Sequence, residues 1–204
     1  MTHFTIADEA SQPKSFAFTP EYRTQAEKHL AKYPPGRQQS AVMPLLDLAQ
    51  RQHGWIPRAA VAHIAEILDL PEIRVWEVVS FYTMFRASPG GRYHVEVCTT
   101  TPCWLRGSDE VVAACKKKLG IGFGETSGDE MFTLHEVECL GACVNAPMIA
   151  IGDDYYEDLD GPKTEAILDA LARGEQPTPG PQIERMASAP VGGLTTLKTV
   201  GGDD

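Results

Sequence analysis

The sequence lacks any apolar run near the ~20 residues that a bilayer-spanning helix requires, which argues against a helical integral membrane protein. It is also short of basic charge. Against 28 Asp and Glu stand 18 Lys and Arg, for a net of −10 at pH 7. An acidic chain with pI near 5.0 is a poor candidate for wrapping nucleic acid or lying on anionic lipid. No Cys-x-x-Cys occurs, so thioredoxin-type exchange chemistry is disfavoured. The opening stretch from Met1 to Thr19 holds one Lys and no Arg. It has neither the basic and apolar regions of a secretory signal nor the Arg-rich character of a transit peptide. A cytosol-synthesised bacterial protein fits best, with a processed organellar form as the alternative. In such a reducing compartment thiols are expected free or metal-bound instead of disulfide-paired.

What is present is more informative. A length of 204 residues suggests one domain or two small ones, and 43% hydrophobic residues is ordinary globular usage. Five cysteines are too few, and odd in number, for a secreted disulfide scaffold. A division at Ser88 sorts both quantities. Residues 1–88 carry 9 basic and 9 acidic side chains, whereas residues 89–204 carry 9 and 19, so all of the net charge lies in the second part. All five cysteines, Cys98, Cys103, Cys115, Cys139 and Cys143, lie there too.

The first part reads as helical. Thr19-Pro20 is a helix start, with Tyr22, Ala26, Leu30 and Tyr33 at near-helical spacing before Pro34-Pro35-Gly36. A second helix is expected from about Gln38 to Gly54 with Pro44 inside it as a kink, and a third from Ile56-Pro57 towards Pro71. Ile73, Trp76, Val79 and Phe81 suggest the buried face of a fourth. His29, His53 and His63 are separated singles and read as surface or core residues. The aromatic stretch Phe81 to Phe85 reads as core packing.

The second part alternates strand and helix signals. Tyr93, Val95 and Val97 mark a strand ended by Cys98. Ser108 is expected to cap a helix that carries Val111, Val112, Cys115 and Leu119 and stops at Gly120. Met131–Val137, Met148–Ile151 and Tyr155-Tyr156 read as further strands, and a last helix runs from Gly161-Pro162 to Gly174. That order predicts a small α/β domain with thioredoxin-like layering. Gly120-Ile-Gly-Phe-Gly124 follows a helix instead of a strand, so it reads as a helix stop and flexible loop and not as a nucleotide-binding turn. The expected organisation is an extension over 1–19, a helical bundle over 20–88, an α/β domain over 89–174, and a Pro/Gly-rich tail over 175–204. Such a tail cannot build a core alone; it reads as disordered or as laid along a partner, the second being favoured.

Four cysteines form two pairs, Cys98-x4-Cys103 and Cys139-x3-Cys143, each just after an expected strand. Two strand-end loops of one sheet can lie side by side, and four convergent thiolates imply a metal. Spacing leaves zinc and iron–sulfur both open. The surroundings favour a [2Fe–2S] cluster, because Thr99, Thr100, Thr101, Gly141 and Ala142 would leave backbone N–H groups near its sulfides. Cys115, alone on an apolar stripe, reads as packing.

The stretches Cys98-Thr-Thr-Thr-Pro-Cys103-Trp-Leu-Arg-Gly107 and Glu136-Val-Glu-Cys139-Leu-Gly-Ala-Cys143-Val-Asn-Ala-Pro147 closely resemble the thioredoxin-like [2Fe–2S] subunit of the NADH dehydrogenase module of respiratory complex I. The likeness continues through Gln38–Leu46, Glu77–Phe85, Asp154–Leu159 and Gly192–Leu197, covering roughly residues 20–200. The resemblance implies an α/β fold: an N-terminal helical bundle followed by a thioredoxin-like [2Fe–2S] ferredoxin domain, with Cys98, Cys103, Cys139 and Cys143 as ligands of one [2Fe–2S] cluster. It implies a partner flavoprotein that carries FMN and the NADH site, together with other peripheral-arm subunits. It also implies a place on the cytoplasmic side of the bacterial inner membrane, or the matrix side if organellar. No side chain is then expected to act as catalytic acid, base or nucleophile, and the acidic surroundings are expected to lower the cluster's potential. Alternatives are the equivalent subunit of an NAD-linked formate dehydrogenase or hydrogenase, and, from another class, a zinc-stabilised assembly module. In that region Ala146-Pro147 is a candidate cis bond, since thioredoxin-like folds often place a cis proline at such a spot.

Overall fold

In the computed structural model, which describes residues 5–193, 195 and 196, the chain divides after Gly90 into two compact units. Residues 1–4 of the extension, and Leu194 and Leu197 of the tail stretch that carries part of the resemblance, lie outside the described residues. Among the described residues no helix is long and apolar enough to cross a membrane.

Among the described residues the first unit holds four α-helices. In α1 (Pro20–Leu30) the Thr19 hydroxyl accepts from the Tyr22 amide at 3.4 Å and Pro20 takes the first turn. Gln38–Ala41 forms a 3-10 turn, so α2 proper spans Val42–His53. Pro44 therefore sits in the first turn, where its missing N–H has no helical partner to lose, and not in the interior where a kink was expected. Gly54, at φ 89°, ends α2 in the left-handed region that glycine enters without a Cβ clash. Helices α3 (Arg58–Leu68) and α4 (Glu72–Phe81) follow. Leu45, Leu46, Ile56, Val61, Ile64 and Val75 are fully buried between them.

Two expectations hold only in part at and just after α4, where Val79 is buried as expected and Trp76 packs against the core. The buried residues of α4 are Val75 and Val79, while Ile73 and Phe81 are 63% and 76% exposed. Of the aromatic stretch only Phe85 is core; Phe81, Tyr82 and Met84 face outward. Of the three histidines, His53 and His63 lie against the rings of Phe16, Phe18 and Trp55, and His29 is near Lys32.

The second unit is a mixed sheet of strands β1 (Tyr93–Cys98), β2 (Phe132–Val137), β3 (Ile149–Ile151), β4 (Asp154–Glu157) and β5 (Gly180–Pro181), in the order β2-β1-β3-β4-β5. β1 runs parallel to β2 and antiparallel to β3, and β4 runs antiparallel to β3 and parallel to β5. Side chains alternate along each strand. After a short helix α5 (Thr101–Leu105), helices α6 (Ser108–Leu119) and α7 (Gly161–Ala172) cover the sheet. Val95, Val97, Leu134, Ile149 and Ile151 pack with Val111 and Cys115 of α6 and with Ile167, Leu168 and Leu171 of α7. The expected N-cap of α6 is displaced by one residue: Gly107, at φ 98°, is the cap, and Ser108 is the fully buried first helical residue.

The tail begins differently from expectation. β5 adds to the free edge of β4, with Tyr156 opposite Gly180 and Glu157 opposite Pro181. This part of the segment lies on the chain's own sheet.

Asp160 caps α7 by accepting from the Lys163 amide at 2.8 Å, and its other oxygen receives the Lys163 ammonium. Lys163 holds the Asp160 carboxyl below its ordinary value. A carboxyl depressed in the folded state contributes stability above its unfolded pKa and loses it as pH falls through the folded one. Asp160→Ala is therefore expected to lower stability by about 1 kcal/mol at pH 7, and denaturation midpoints of the two proteins should converge as the pH drops below the carboxylate range.

Candidate functional site

The site is built by the parallel pairing of β1 and β2. Cys98 is the last residue of β1, and its register partner is Val137, the last of β2. Parallel strands end on the same side, so the segments that leave Cys98 and Val137 start as neighbours. Cys139 lies two positions beyond Val137.

After β1 the chain passes through Thr99 and Thr100 into α5, with Pro102 in its first turn. The sequence predicts a plain loop here. Cys103 lies on this helix and is turned inward, 2% exposed, beside Cys98 at the same value. Ala146 and Met148 complete a small apolar pocket around both sulfurs, with Leu140 and Ala142 at its margin. After β2 the chain turns at Gly141, φ 86°, and a 3-10 turn spans Cys143–Asn145. Ala146–Pro147 is cis, and β3 then re-enters the sheet. Cys139 and Cys143 are exposed.

All five cysteines are free thiols, and four of them stand as two pairs that act on each other electrostatically. The sulfurs of Cys139 and Cys143 are 3.5 Å apart. Cys98 and Cys103 hydrogen-bond to each other, Cys143 acts electrostatically on Cys103, and Cys98 acts on Cys143. Donors surround the sulfurs: the Gly141 amide reaches Cys139 Sγ at 3.4 Å, the Thr100 hydroxyl lies 3.3 Å from Cys98 Sγ, and the Leu140 and Met148 amides serve Cys98 and Cys103. The Leu140 bond ties the second loop to the first.

These surroundings divide the thiols. Burial alone would raise Cys98, but the donors from Thr100, Cys103 and Leu140 outweigh it and its pKa falls. Burial, and then the neighbouring Cys98 sulfur, push Cys103 up to about 12. The hydrogen bond to Cys139 raises Cys143. Without a cation, Cys98, Cys103 and Cys143 do not ionise together, because each thiolate opposes the next. Cys115, buried on α6, is pushed up to about 12 by desolvation and stands apart as packing.

The donor set suits a group wider than one ion. Zinc requires four donors at about 2.3 Å from a single point. The sulfurs stand as two pairs, and a binuclear cluster takes two thiolates at each iron.

Two features of the site have no clear signature in the sequence. One is α5. The other is Asn145, 3% exposed and bonded through its side chain to the end of β4 and to Ala187. The only local signal is a lone amide within the apolar run Val144–Ile151.

A family model described as thioredoxin-like [2Fe-2S] ferredoxin matches residues 26–172. An NADH-quinone oxidoreductase subunit of Rickettsia bellii (strain RML369-C) is 54% identical over 158 residues, covering 77% of this chain and 95% of the relative. An NADH-quinone oxidoreductase subunit of Rhizobium meliloti (strain 1021) is 48% identical over 204 residues, covering 95% of this chain and 71% of the relative. Among solved structures, a chain of an air-oxidized NAD+-reducing [NiFe]-hydrogenase superimposes with a TM-score of 0.59 at 19% identity, over 66% of this chain and 23% of that one. At that identity the likeness is one of fold.

Proposed function

This chain belongs to the thioredoxin-like [2Fe-2S] ferredoxin family, and on that premise we propose that Cys98, Cys103, Cys139 and Cys143 hold one [2Fe–2S] cluster in a one-electron carrier subunit of NADH:quinone oxidoreductase. The observation that carries the assignment is the placing of two cysteine pairs next to the shared end of β1 and β2, with a backbone amide donor on each of the four sulfurs. The relatives at 54% and 48% identity are both subunits of this oxidoreductase. The hydrogenase chain shares the fold at 19% identity, so it supports the fold and not the hydrogenase reading.

When bound, the cluster supplies a site that accepts and returns one electron. The chain's own residues do the rest. The Thr100, Leu140, Gly141 and Met148 donors stabilise negative charge on the sulfurs, and Ala146 and Met148 keep water from the Cys98–Cys103 half. The exposed Cys139–Cys143 half offers the edge at which a redox partner can approach. That partner is a flavoprotein with FMN and the NADH site, within the peripheral arm on the cytoplasmic side of the bacterial inner membrane. NADH gives up two electrons as a hydride, and a flavin beside a one-electron carrier can pass them on singly.

The test is an iron and acid-labile sulfide count with an EPR spectrum of the reduced protein. Two irons, two sulfides and a binuclear signal are the expected result. A colourless protein with zinc and no sulfide would replace it with the assembly-module reading.

A further inference from the structure

The two halves of the cysteine site are held by different means. Cys98 and Cys103 are fixed by a central strand and an apolar pocket. Cys139 and Cys143 sit on an exposed loop whose apolar contacts are confined to the margin residues Leu140 and Ala142. Such a loop needs polar restraints if two sulfurs are to keep their places.

Leu140 is held from the first loop through Cys98 and from β4 by the Tyr155 hydroxyl, which donates to its carbonyl at 3.0 Å; the restraints beside Cys143 include contacts from the far end of the chain. Past β5, the Gln182 amide donates to the Glu157 carbonyl at 2.9 Å and leads the chain back over the loop. Arg185 Nη1 donates to Asp158 Oδ1 at 2.9 Å, and both side chains are 6% exposed. The same Nη1 lies 3.5 Å from the carbonyl of Val144, the residue after Cys143, and Arg185 Nε donates to the Ala189 carbonyl at 3.0 Å. Asn145, in the same 3-10 turn as Cys143, is the hub. Its carbonyl accepts from the Asp158 amide at 2.7 Å, and its Nδ2 donates to Ala187 O at 2.9 Å, Glu157 Oε2 at 3.0 Å and Asp158 Oδ2 at 3.3 Å. Ala187 takes a φ of 45°, a conformation alanine adopts rarely, and its carbonyl meets Asn145 from that position.

A buried ion pair is a weak means of gaining stability, because desolvation offsets much of the attraction; its attested use is to fix one geometry. We infer that Asn145 and Arg185 are positioning residues for the cluster, and that the segment 180–189 is a strap that holds the Cys139–Cys143 loop in ligating geometry. The inference rests on the reading of Cys139 and Cys143 as cluster ligands. It assigns to the C-terminal segment a role in the site that lies outside both cysteine motifs.

The test compares full-length, cluster-loaded wild type with Arg185→Leu, Arg185→Lys, Asn145→Leu and, as a control on the strap's exposed side, Met186→Ala. Iron transfer to a chelator gives a rate, and EPR of the reduced protein reports ligand geometry. Partners that orient metal ligands typically change affinity by 10–100-fold when removed. Arg185→Leu and Asn145→Leu are expected to release iron at least about tenfold faster and to shift the g-values. Arg185→Lys, which keeps the charge, should release iron more slowly than Arg185→Leu, and Met186→Ala should match wild type. If Arg185→Leu does not fold, Asn145→Ser supplies the same comparison. Loaded variants with wild-type release and an unchanged spectrum would overturn the strap alone, as would a Lys variant no better than Leu. A wild-type protein without iron and sulfide would overturn the strap and the cluster reading together.

Discussion

Cys103→Ala is expected to abolish stable cluster binding, leaving less than about one-tenth of the wild-type iron and no binuclear EPR signal, because a set of four thiolates has no spare member. The lost sulfur lies where water has little access, 2% exposed. The pocket there is lined by Ala146 and Met148, whose side chains offer no oxygen or nitrogen to close the gap. Cys98→Ala should behave in the same way. Cys115→Ala is the internal control: it removes an equally inaccessible sulfur, but one packed under the sheet among Val95, Val111 and Leu168. It should keep full iron and sulfide and lose only a little stability from the small void. The pair of results separates a buried ligand from a buried bystander. Equal iron loss in both variants would return the effect to general unfolding.

The second large effect is expected at Gly91, which has no part in the chemistry. A Cβ built there would lie 2.7 Å from both the backbone nitrogen and the backbone carbon of Phe132, at the start of β2. Backbone cannot rotate away as a side-chain tip can. The Gly91 amide also donates to Thr133 Oγ1 at 2.7 Å, a buried bond that fixes the same approach. Gly91→Ala must therefore push β2 away from its place beside β1 or break that bond. Overpacking of this kind costs about 3 kcal/mol. In urea denaturation it should appear as a fall in midpoint at little changed slope. The same displacement moves the end of β2 relative to β1, so the variant should also hold iron less firmly. A stable Gly91→Ala protein would mean that the strand start is free to shift.

How much of this is legible in the sequence follows from the range of each interaction. The long helices show because an apolar stripe recurs every three to four residues, as Ala60, Ile64 and Leu68 do on α3. The paired strands show because Val95 and Val97 alternate with polar neighbours. The convergence of the cysteines follows from their positions just after two strands. By contrast, α5 spans Thr101–Leu105, less than two turns, and leaves no periodicity to read. The partly misplaced face on α4 has a related cause: of the expected residues Val79 is buried and Trp76 packs against the core, whereas Ile73 and Phe81, large and apolar as they are, face outward and the core takes Val75. Size and hydrophobicity do not say which stripe is covered. The tail's place is beyond reach, since β5 is Gly180–Pro181 and the Arg185–Asp158 pair joins residues far apart in sequence. Neither carries a local pattern.

The order of strands in the sheet has a consequence for how the protein is made. During synthesis residues emerge from the amino end, and the four helices of the first unit, joined by short connections, can settle as soon as they are released. β1 cannot. It lies between β2 and β3, which are made later, and the edge of β4 waits for β5, which is later still. The thiols of Cys98 and Cys103 are thus exported from the ribosome well before the layer that will cover them is complete. The topology therefore imposes an order: the cysteine site cannot take its final shape until β2, β3 and the loop between them have been made.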